Sequence, residues 1–470
     1  MHSCRPRLDV NERNIVDAAV SRELTRQVPC DALSIERGVR QLLADKVSGN
    51  LAGVWLLVAE HMRLGTWDLL KGWTNSSSEQ VEPRLALQVV NEAAVCTSGI
   101  RSQRTLNGRG GFELACGLPF IASDTAIHDL LDARSMERTI ELQATLGQIR
   151  KSMGHFQGRL LVIDPHRVQS HSRRRMRERS ARGSRPVKQA QTFWLLDADT
   201  QQPVCFTTAT AAVSVVEATP ILMDLGAKIL GPSDSRSLVL ADCEHFASAI
   251  LCSIKLGGRF DLLVPMPNQP THVKRWRSIP CESFTPRWAG FATVKNNFQF
   301  KYGVDGEYTE IVQRTGENPT DYKYKGFMST TDVDEVSAIT VSYPNRWHIE
   351  EFFNTDQALG WQRAGTQNLN VRYGQMTLAL IAQAAIHELR NRLGEPLAAW
   401  NANHLAQDLF FRLEGDVRVT DDTIIVTYYN APNQNLLRKY YEDLPNKLAE
   451  DGVAPTVPWL YGYKLDFRFR

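Results

Sequence analysis

The sequence predicts an α/β protein in which a mixed sheet core with a β-rich insertion follows an all-helical N-terminal domain. Three observations predict this class. Apolar residues recur at spacings of three and four through residues 1–150, as on one face of a helix. Two short apolar runs, residues 159–164 (RLLVID) and 237–242 (SLVLAD), each end on an aspartate, which is typical of a buried strand with a polar exit. Residues 268–335 then combine Pro, Gly, Thr and aromatic residues in short alternating runs.

Size and composition limit the class of protein without identifying a partner. The chain has 470 residues, 43% of them hydrophobic, and 54 basic against 52 acidic residues. A chain of this length has room for several domains. The eight cysteines form neither a C-x-x-C pair nor a zinc spacing, so we expect reduced thiols. No uncharged apolar stretch is long enough to span a bilayer, and the N-terminus has no signal core; the composition predicts a soluble cytoplasmic protein with no membrane partner.

The first half of the chain divides near residue 154, where helical periodicity gives way to strand-like apolar runs. Helical periodicity covers residues 35–43, 54–62 and 127–131, with polar breaks at residues 75–78 and 107–111. The run 159–164 then predicts a strand that ends at Asp164. Residues 192–207 predict a hairpin around a turn at 197–201, and residues 213–230 predict an amphipathic helix. Strands at 237–242, ending on Asp242, and at 260–264 complete this half.

The second half returns to helices after the insertion. A helix is predicted from Tyr343 onward, a long apolar helix from residue 369 to 393, and strands at 423–428 and 459–469 around a polar helix. The predicted organisation is a helical domain at 1–150, a first core segment at 151–267, the β-rich insertion at 268–335, a second core segment at 336–395, and a C-terminal segment at 396–470 that completes the core or forms a dimer.

The segment from Tyr343 to residue 353 is the most informative for function. Pro344 suits the first position of a helix, where its missing N–H has no consequence, so a helix is predicted to start there. At about 100° per residue, Tyr343, Arg346, Glu350 and Gln357 then share one stripe. A carboxylate flanked by Arg and Tyr on one helix suits holding a metal ion against a phosphate.

The order of elements supplies partners for Glu350. A strand ending in Asp164, a hairpin, a helix, a strand ending in Asp242 and a later helix carrying Glu350 is the layout of an RNase H-like nucleotidyl-transfer core. Carboxylates at the carboxyl ends of strands in an open sheet face the ligand-binding crevice, and three of them could hold two hard cations. Each residue alone has a structural interpretation: a turn cap for Asp164, an N-cap for Asp242, an i,i+4 pair with Arg346 for Glu350. Their joint order favours the metal site.

A basic run follows the first aspartate. Residues 167–188 contain nine Arg or Lys, among them Arg173, Arg174, Arg175 and Lys188, against the single acid Glu178. Such a run is either a solvated loop or a phosphate-binding element. Its position directly after a predicted catalytic strand favours contact with nucleic acid.

These motifs resemble those of the DDE transposases of bacterial insertion sequences, specifically the IS-four-like group. The string RWHIEEFF at 346–353 is similar to the region around that group's catalytic glutamate. LLVID at 160–164 and VLADCEHF at 239–246 are similar to its two aspartate blocks. The group's signature is Tyr, two residues, Arg, three residues, Glu, six residues, Lys. Here it is Tyr343, Arg346, Glu350 and Gln357, so a Gln stands in the Lys position.

The resemblance implies cut-and-paste DNA transposition: end nicking, followed by 3′-hydroxyl strand transfer into target DNA. It implies that Asp164, Asp242 and Glu350 bind two Mg²⁺ ions, for which Mn²⁺ can substitute. Tyr343, Arg346 and the residue at position 357 are expected to contact DNA phosphates. The partners are then double-stranded DNA, as inverted-repeat ends and target, and a second copy of the chain in a synaptic homodimer at the nucleoid. The family's hairpin route implies base flipping against an aromatic residue of the insertion, with Trp276 and Trp288 as candidates.

Two other function classes remain open at the level of sequence. One is a catalytically weakened or silent DNA-binding derivative that acts as an inhibitor or regulator, which Gln357 favours and the intact set of three carboxylates disfavours. The other is an RNase H-like nuclease that cuts without strand transfer.

Overall fold

A ten-stranded mixed sheet and a four-stranded sheet organise the residues that the computed structural model describes, namely 31–76, 81–170, 178–179, 185–210, 212–300, 306–361 and 368–470. The strands are β1 Val47–Gly49, β2 Leu160–Gln169, β3 Glu178–Arg179, β4 Val187–Asp197, β5 Gln202–Thr210, β6 Ser237–Leu240, β7 Phe260–Pro265, β8 Thr285–Trp288, β9 Phe291–Phe298, β10 Tyr308–Thr315, β11 Lys323–Ser329, β12 Gly415–Thr420, β13 Thr423–Tyr428 and β14 Lys464–Phe469.

Helices surround these sheets. In chain order they are α1 Ala32–Ala44, α2 Trp55–Arg63, α3 Thr66–Thr74, α4 Glu82–Ala94, α5 Phe112–Ala115, α6 Asp124–Asp132, α7 Met136–Ser152, α8 Val215–Leu230, α9 Ser248–Gly257, α10 Pro270–Arg277, α11 Glu335–Ser337, α12 His348–Asp356, α13 Leu369–Leu393, α14 Ala402–His404, α15 Gln434–Tyr441 and α16 Leu444–Glu450. Local capping explains several starts: Ser214, for example, forms a reciprocal capping box with Glu217 at the start of α8. No helix among the described residues has the length and apolarity to cross a membrane.

The large sheet combines a parallel centre with antiparallel flanks. Its order is β5–β4–β2–β6–β7–β11–β10–β9–β8, with β3 also paired to β4. The strands β2, β6 and β7 run parallel, whereas β4 is antiparallel to β2 and β11 is antiparallel to β7. The predicted hairpin is β4–β5, and the predicted helix between it and the next strand is α8. The sheet is therefore mixed α/β, as predicted.

The two faces of the central strands belong to different hydrophobic clusters. Val162 and Leu240 pack with α13 and the N-terminal helices. Leu161 and Val239, one residue away, pack with α8 and α9 on the opposite face. This division follows from the period of two in a strand, and it explains why these strands read as continuous apolar runs.

The β-rich insertion extends the core sheet. Strand β11 pairs with β7, where Phe327 lies opposite Pro265, and β10, β9 and β8 follow in antiparallel order. The insertion also contains helix α10. Its Trp276 is fully buried and donates its indole N–H to Glu310 over 3.0 Å, so this candidate for base stacking is a core residue.

The N-terminal segment and the C-terminal segment share one core. Strand β1 pairs with β12, Tyr428 donates a hydrogen bond to the Ala52 carbonyl over 3.0 Å, and α4 packs along α13. The prediction that residues 1–150 are entirely helical is therefore wrong at Val47–Gly49. A three-residue strand has too little alternation to be recognised in sequence, and its pairing partner lies far along the chain.

Candidate active site

Asp164 of β2 and Asp242, two residues beyond the end of the parallel neighbour β6, lie at the same level of the sheet. In the β2–β6 register, Val162 lies opposite Leu240. Each aspartate follows two residues later, so both side chains leave the sheet on the same face. Neighbouring strands are about 4.8 Å apart, which brings the two carboxylates together.

Asp164 does not end its strand, contrary to the prediction. Strand β2 continues to Gln169 because β4 pairs with it throughout, with Asp164 opposite Trp194. Only the parallel neighbour β6 ends early, at Leu240. The open edge that exposes Asp164 is therefore created by the end of β6. The side chain of Asp164 is 20% exposed.

Asp242 also serves as the N-cap of a 3-10 turn, Cys243–His245, as its structural interpretation anticipated. Its Oδ1 accepts the backbone N–H of Glu244 over 3.0 Å and lies 2.8 Å from Nδ1 of the buried His245. These contacts fix the orientation of the carboxylate.

The helix carrying Glu350 begins before Pro344, contrary to the prediction. Helical turns run from α11 through a π turn at Ala338–Ser342 and a 3-10 segment at Tyr343–Trp347 into α12. A proline inside a helix removes a hydrogen-bond donor, and the change of turn type occurs where Pro344 lies. The side-chain amide of Asn345 supplies a donor locally, since its Nδ2 donates to the Val341 carbonyl over 2.9 Å.

Arg346 joins Glu350 to the aspartates. Its Nη2 donates to Glu350 Oε1 over 2.9 Å, and its Nη1 lies 4.0 Å from Asp164 Oδ1. Tyr343, one turn earlier, donates its hydroxyl to the carbonyl of Ala241 over 3.4 Å, which ties the helix to the residue before Asp242. Thus Tyr343, Arg346 and Glu350 face the end of β6 together.

The electrostatics of the group reflect an excess of negative charge. Burial and the nearby charge of Asp242 raise the pKa of Asp164 to about 7, although Arg346 acts in the opposite direction. Burial acts to raise the pKa of Asp242 as well, but the hydrogen bond and charge of His245, the backbone N–H of Glu244 and the charge of Arg346 together lower the pKa of that carboxyl. Burial raises the pKa of Tyr343 to about 12, so its hydroxyl stays protonated at neutral pH.

The donor set suits a hard divalent cation, since it consists of carboxylate oxygens whose charge is only partly balanced. Among the residues that the structure describes, however, no three His, Cys, Asp or Glu side chains are gathered closely enough to hold a metal ion. In the free protein the carboxylate of Glu350 is engaged by the Arg346 guanidinium.

A cleft of about 470 Å³ adjoins the group. Tyr343 and Arg346 form one wall, and β9, β10 and β11 of the insertion form the other. The walls of the cleft carry positively charged and aromatic side chains, and none of the described residues that line it is acidic. The lining residues are Phe291, Gln313, Lys325, Phe327, Ile339, Thr340, Tyr343, Pro344, Arg346 and Trp347. Trp347 is 59% exposed, and Trp288, stacked on Phe291 at 4.2 Å, is 51% exposed.

Two other predicted DNA contacts do not join this group. Gln357 follows the end of α12 and begins a separate 3-10 turn, so the predicted stripe is interrupted before it. Lys188 lies near the start of β4 opposite Glu178, six residues from Trp194, which is about 20 Å along the strand. Arg173, Arg174 and Arg175 lie outside the described residues.

Three residues in or next to this region were not predicted as site residues. Arg167 pairs with Glu244 at the edge of the site, with Nη1 2.9 Å from Oε1. Lys325 lines the cleft from β11. Asp356, at the end of α12, points into the core toward Arg390 at 3.3 Å. Of these three residues, only Arg167 had a signal in the sequence, because it is the first residue of the basic run.

Comparisons with known proteins find similarity among solved structures only. No protein-family model matches the chain, and no curated protein matches it. Among solved structures, a piggyBac transposase determined by cryo-EM as a synaptic complex with hairpin DNA is similar over 78% of this chain and 81% of that chain, at 10% identity and a TM-score of 0.41. Membership of the IS-four-like group stays a prediction. Function is inferred from the geometry of the site and not from this similarity.

Proposed function

We propose that the protein is a DDE-type DNA transposase that cuts transposon ends and joins the 3′-hydroxyl to target DNA. One observation carries the proposal: Arg346, near the point where β6 ends, is paired with Glu350 and lies 4.0 Å from Asp164, and its charge also acts on Asp242, although these three acids are far apart in sequence. Structural ion pairs explain each residue singly. They do not explain why a buried carboxyl is left with a pKa of about 7 beside two further acids.

The order of strands supports an RNase H-like core. Strands β2, β4 and β5 form an antiparallel meander, and β6 and β7 continue in parallel on the other side of β2, each preceded by a helix. In this arrangement the first and fourth strands of the core carry the aspartates side by side.

Asp164, Asp242 and Glu350 are the proposed ligands of Mg²⁺, with Mn²⁺ as a substitute. Ions held there by these three side chains would supply Lewis-acid stabilisation of the charge that develops on the oxygens at phosphorus. Arg346 has a complementary role. Its ion pair with Glu350 balances charge in the free protein, and a DNA phosphate can replace Glu350 as its partner, since a guanidinium binds both groups in the same geometry.

The cleft supports a role in holding the DNA end. Tyr343 keeps its proton and can donate a hydrogen bond to a phosphate oxygen. Trp288 and Trp347 expose aromatic surface on which a displaced base can stack. Binding of inverted-repeat ends by the N-terminal helices, and pairing of two protein copies on DNA, belong to the same proposal.

The test is incubation of the purified protein with cut element ends, a plasmid target and Mg²⁺. We expect joined products. Cleavage without joining would identify a nuclease, and binding without cleavage a silent derivative.

The variant Glu350→Gln removes the charge while keeping the size of the side chain and an oxygen that can accept from Arg346. We expect it to lower end cleavage by at least about 10³-fold and to leave end binding in place. Glu351→Gln, the exposed neighbouring residue, is the matched control. Unchanged cleavage in Glu350→Gln would contradict the assignment.

A further inference from the structure

The wall of the cleft opposite Arg346 is built by alternate residues of the insertion. Lys325 and Phe327 leave β11 on the same face, since side chains two residues apart point the same way. In the sheet register Lys325 lies opposite Gln313 of β10, and both side chains line the cleft. Lys325 therefore lines the cleft from a paired strand, and its side chain packs against the Phe327 ring.

The charge of Lys325 is not balanced by an acid among the described residues. Its ammonium lies 4.8 Å from the centre of the Phe327 ring and 5.4 Å from that of Tyr343. Burial among these groups and the positive charge of Arg346 lower its pKa. By contrast, Lys295 on the same sheet is paired with an acid, since its ammonium lies 2.7 Å from the Asp332 carboxylate. Arg346, the other cation that lines the cleft, is paired with Glu350, so the unbalanced charge that attracts an anion is that of Lys325.

The side chains that line the cleft indicate which kind of anion it can bind. Its polar side chains can all donate hydrogen bonds, namely Lys325, Arg346, Gln313, Thr340 and Tyr343, and the rest of the lining is aromatic or aliphatic. A phosphodiester offers oxygens to the cations and an attached nucleoside to the rings. Lys325 also remains exposed enough to be reached from solution.

We propose that Lys325 binds a backbone phosphate of the DNA end beside Arg346, and so supplies the positive charge that Gln357 does not. The inference rests on the proposed function, because it assumes that DNA enters the cleft. It adds a phosphate-binding residue from the insertion, on the strand before the helix that carries Glu350.

The first experiment measures how DNA affinity depends on salt. Binding of a short element-end duplex is followed in the Glu350→Gln background, so that no cleavage occurs. Loss of one phosphate contact lowers the slope of log affinity against log salt by about 0.9. We expect Lys325→Gln to lower the slope by this amount and Lys325→Arg, which keeps the charge, to leave the slope at the value of its parent. Lys323→Gln is the control, since Lys323 is exposed on the same face of β11 but does not line the cleft.

The second experiment measures lysine acetylation by mass spectrometry. The duplex should protect Lys325 from acetylation several-fold and leave Lys323 reactive, whereas inorganic phosphate alone should protect neither. Equal protection by inorganic phosphate would identify a free-anion site and overturn the proposal, as would an unchanged salt slope in Lys325→Gln.

The two assignments fail in different ways. If Glu350→Gln abolishes cleavage while Lys325→Gln binds like its parent, only the role of Lys325 is wrong. If Glu350→Gln cleaves normally, the proposed function is wrong whatever Lys325 does.

Discussion

At the scale of single residues, the site is defined by carboxylates that the free protein does not fully neutralise. Asp164 is held beside Asp242, and the guanidinium near it, that of Arg346, is shared with Glu350. Such an arrangement costs stability in the metal-free protein and favours cation binding. A site of this kind trades folding stability for affinity toward its ligand.

The pH dependence of stability follows from Asp164. Its pKa is about 7 in the folded protein against an ordinary 3.8. The folded state therefore binds the proton more tightly than the unfolded state, and the cost of ionisation is absent below about pH 4 and grows up to about pH 7. Asp164→Asn should raise the free energy of unfolding by about 2 kcal/mol at pH near 8, and by less at pH near 5.

Urea denaturation of the metal-free protein measures this difference, with the exposed Asp332→Asn as a control. In thermal denaturation, Mg²⁺ should raise the Tm of the unmutated protein but not that of Asp164→Asn. A variant that is less stable than its parent at the higher pH would contradict the charge argument.

At the scale of elements, the orientation of α12 is set at its far end. Asp356 is buried, 3.3 Å from Arg390 and within hydrogen-bond distance of Gln383 on the long helix α13. Packing above it is aromatic: Phe352 and Phe353 contact Trp194, and Phe353 stacks on His166 at 4.3 Å. These contacts hold Glu350 at a fixed height over β2.

Removing the contacts of Asp356 with Arg390 and Gln383 should weaken the packing of α12 on α13. Asp356→Ala leaves the Arg390 charge largely buried without its partner, and we expect it to lower the free energy of unfolding by about 3 kcal/mol. Asp408→Ala, which removes the partner of the exposed Arg412, should change it by less than about 1 kcal/mol. Urea titrations of both variants test the prediction, and equal effects would show that Asp356 is no anchor.

At the scale of the whole molecule, a buried ionic cluster unites the two ends of the chain. Glu60 of α2 is fully buried and lies 3.1 Å from Arg63 and 3.5 Å from Arg392 of α13. Tyr441 of α15 donates its hydroxyl to the same carboxylate over 2.7 Å. The N-terminal helices, the long helix and the C-terminal segment therefore meet at one carboxylate.

Loss of this carboxylate should destabilise both ends together. Glu60→Ala removes the buried carboxylate that Arg63 and Arg392 share and leaves Asp451 as their remaining carboxylate partner. We expect a loss of about 3 kcal/mol in the free energy of unfolding. Glu36→Ala, which removes the partially exposed partner of Arg40, should cost less than about 1 kcal/mol. Hydrogen exchange should show faster exchange in both α2 and α15. Faster exchange in α2 alone would show that the two ends fold independently.

Much of the fold is readable from local pattern. The predicted bounds of α13 and β13 agree with the structure, and those of α8 agree closely at its end, because each is a long or strongly periodic apolar segment with clear polar boundaries. The three candidate carboxylates were also readable as an ordered set, since two follow apolar strands and the third follows an Arg at one helical turn.

Tertiary structure decided what surrounds those carboxylates. Asp164 is exposed because β6 ends while β4 continues, Lys325 reaches the cleft because β11 joins β7, and Asp356 turns inward toward Arg390 on a different helix. Local sequence determined which segments are helices and strands and in what order the acids occur, since periodicity and propensity are properties of neighbouring residues. The pairing of distant strands and helices, which depends on contacts across the whole chain, decided which side chains meet.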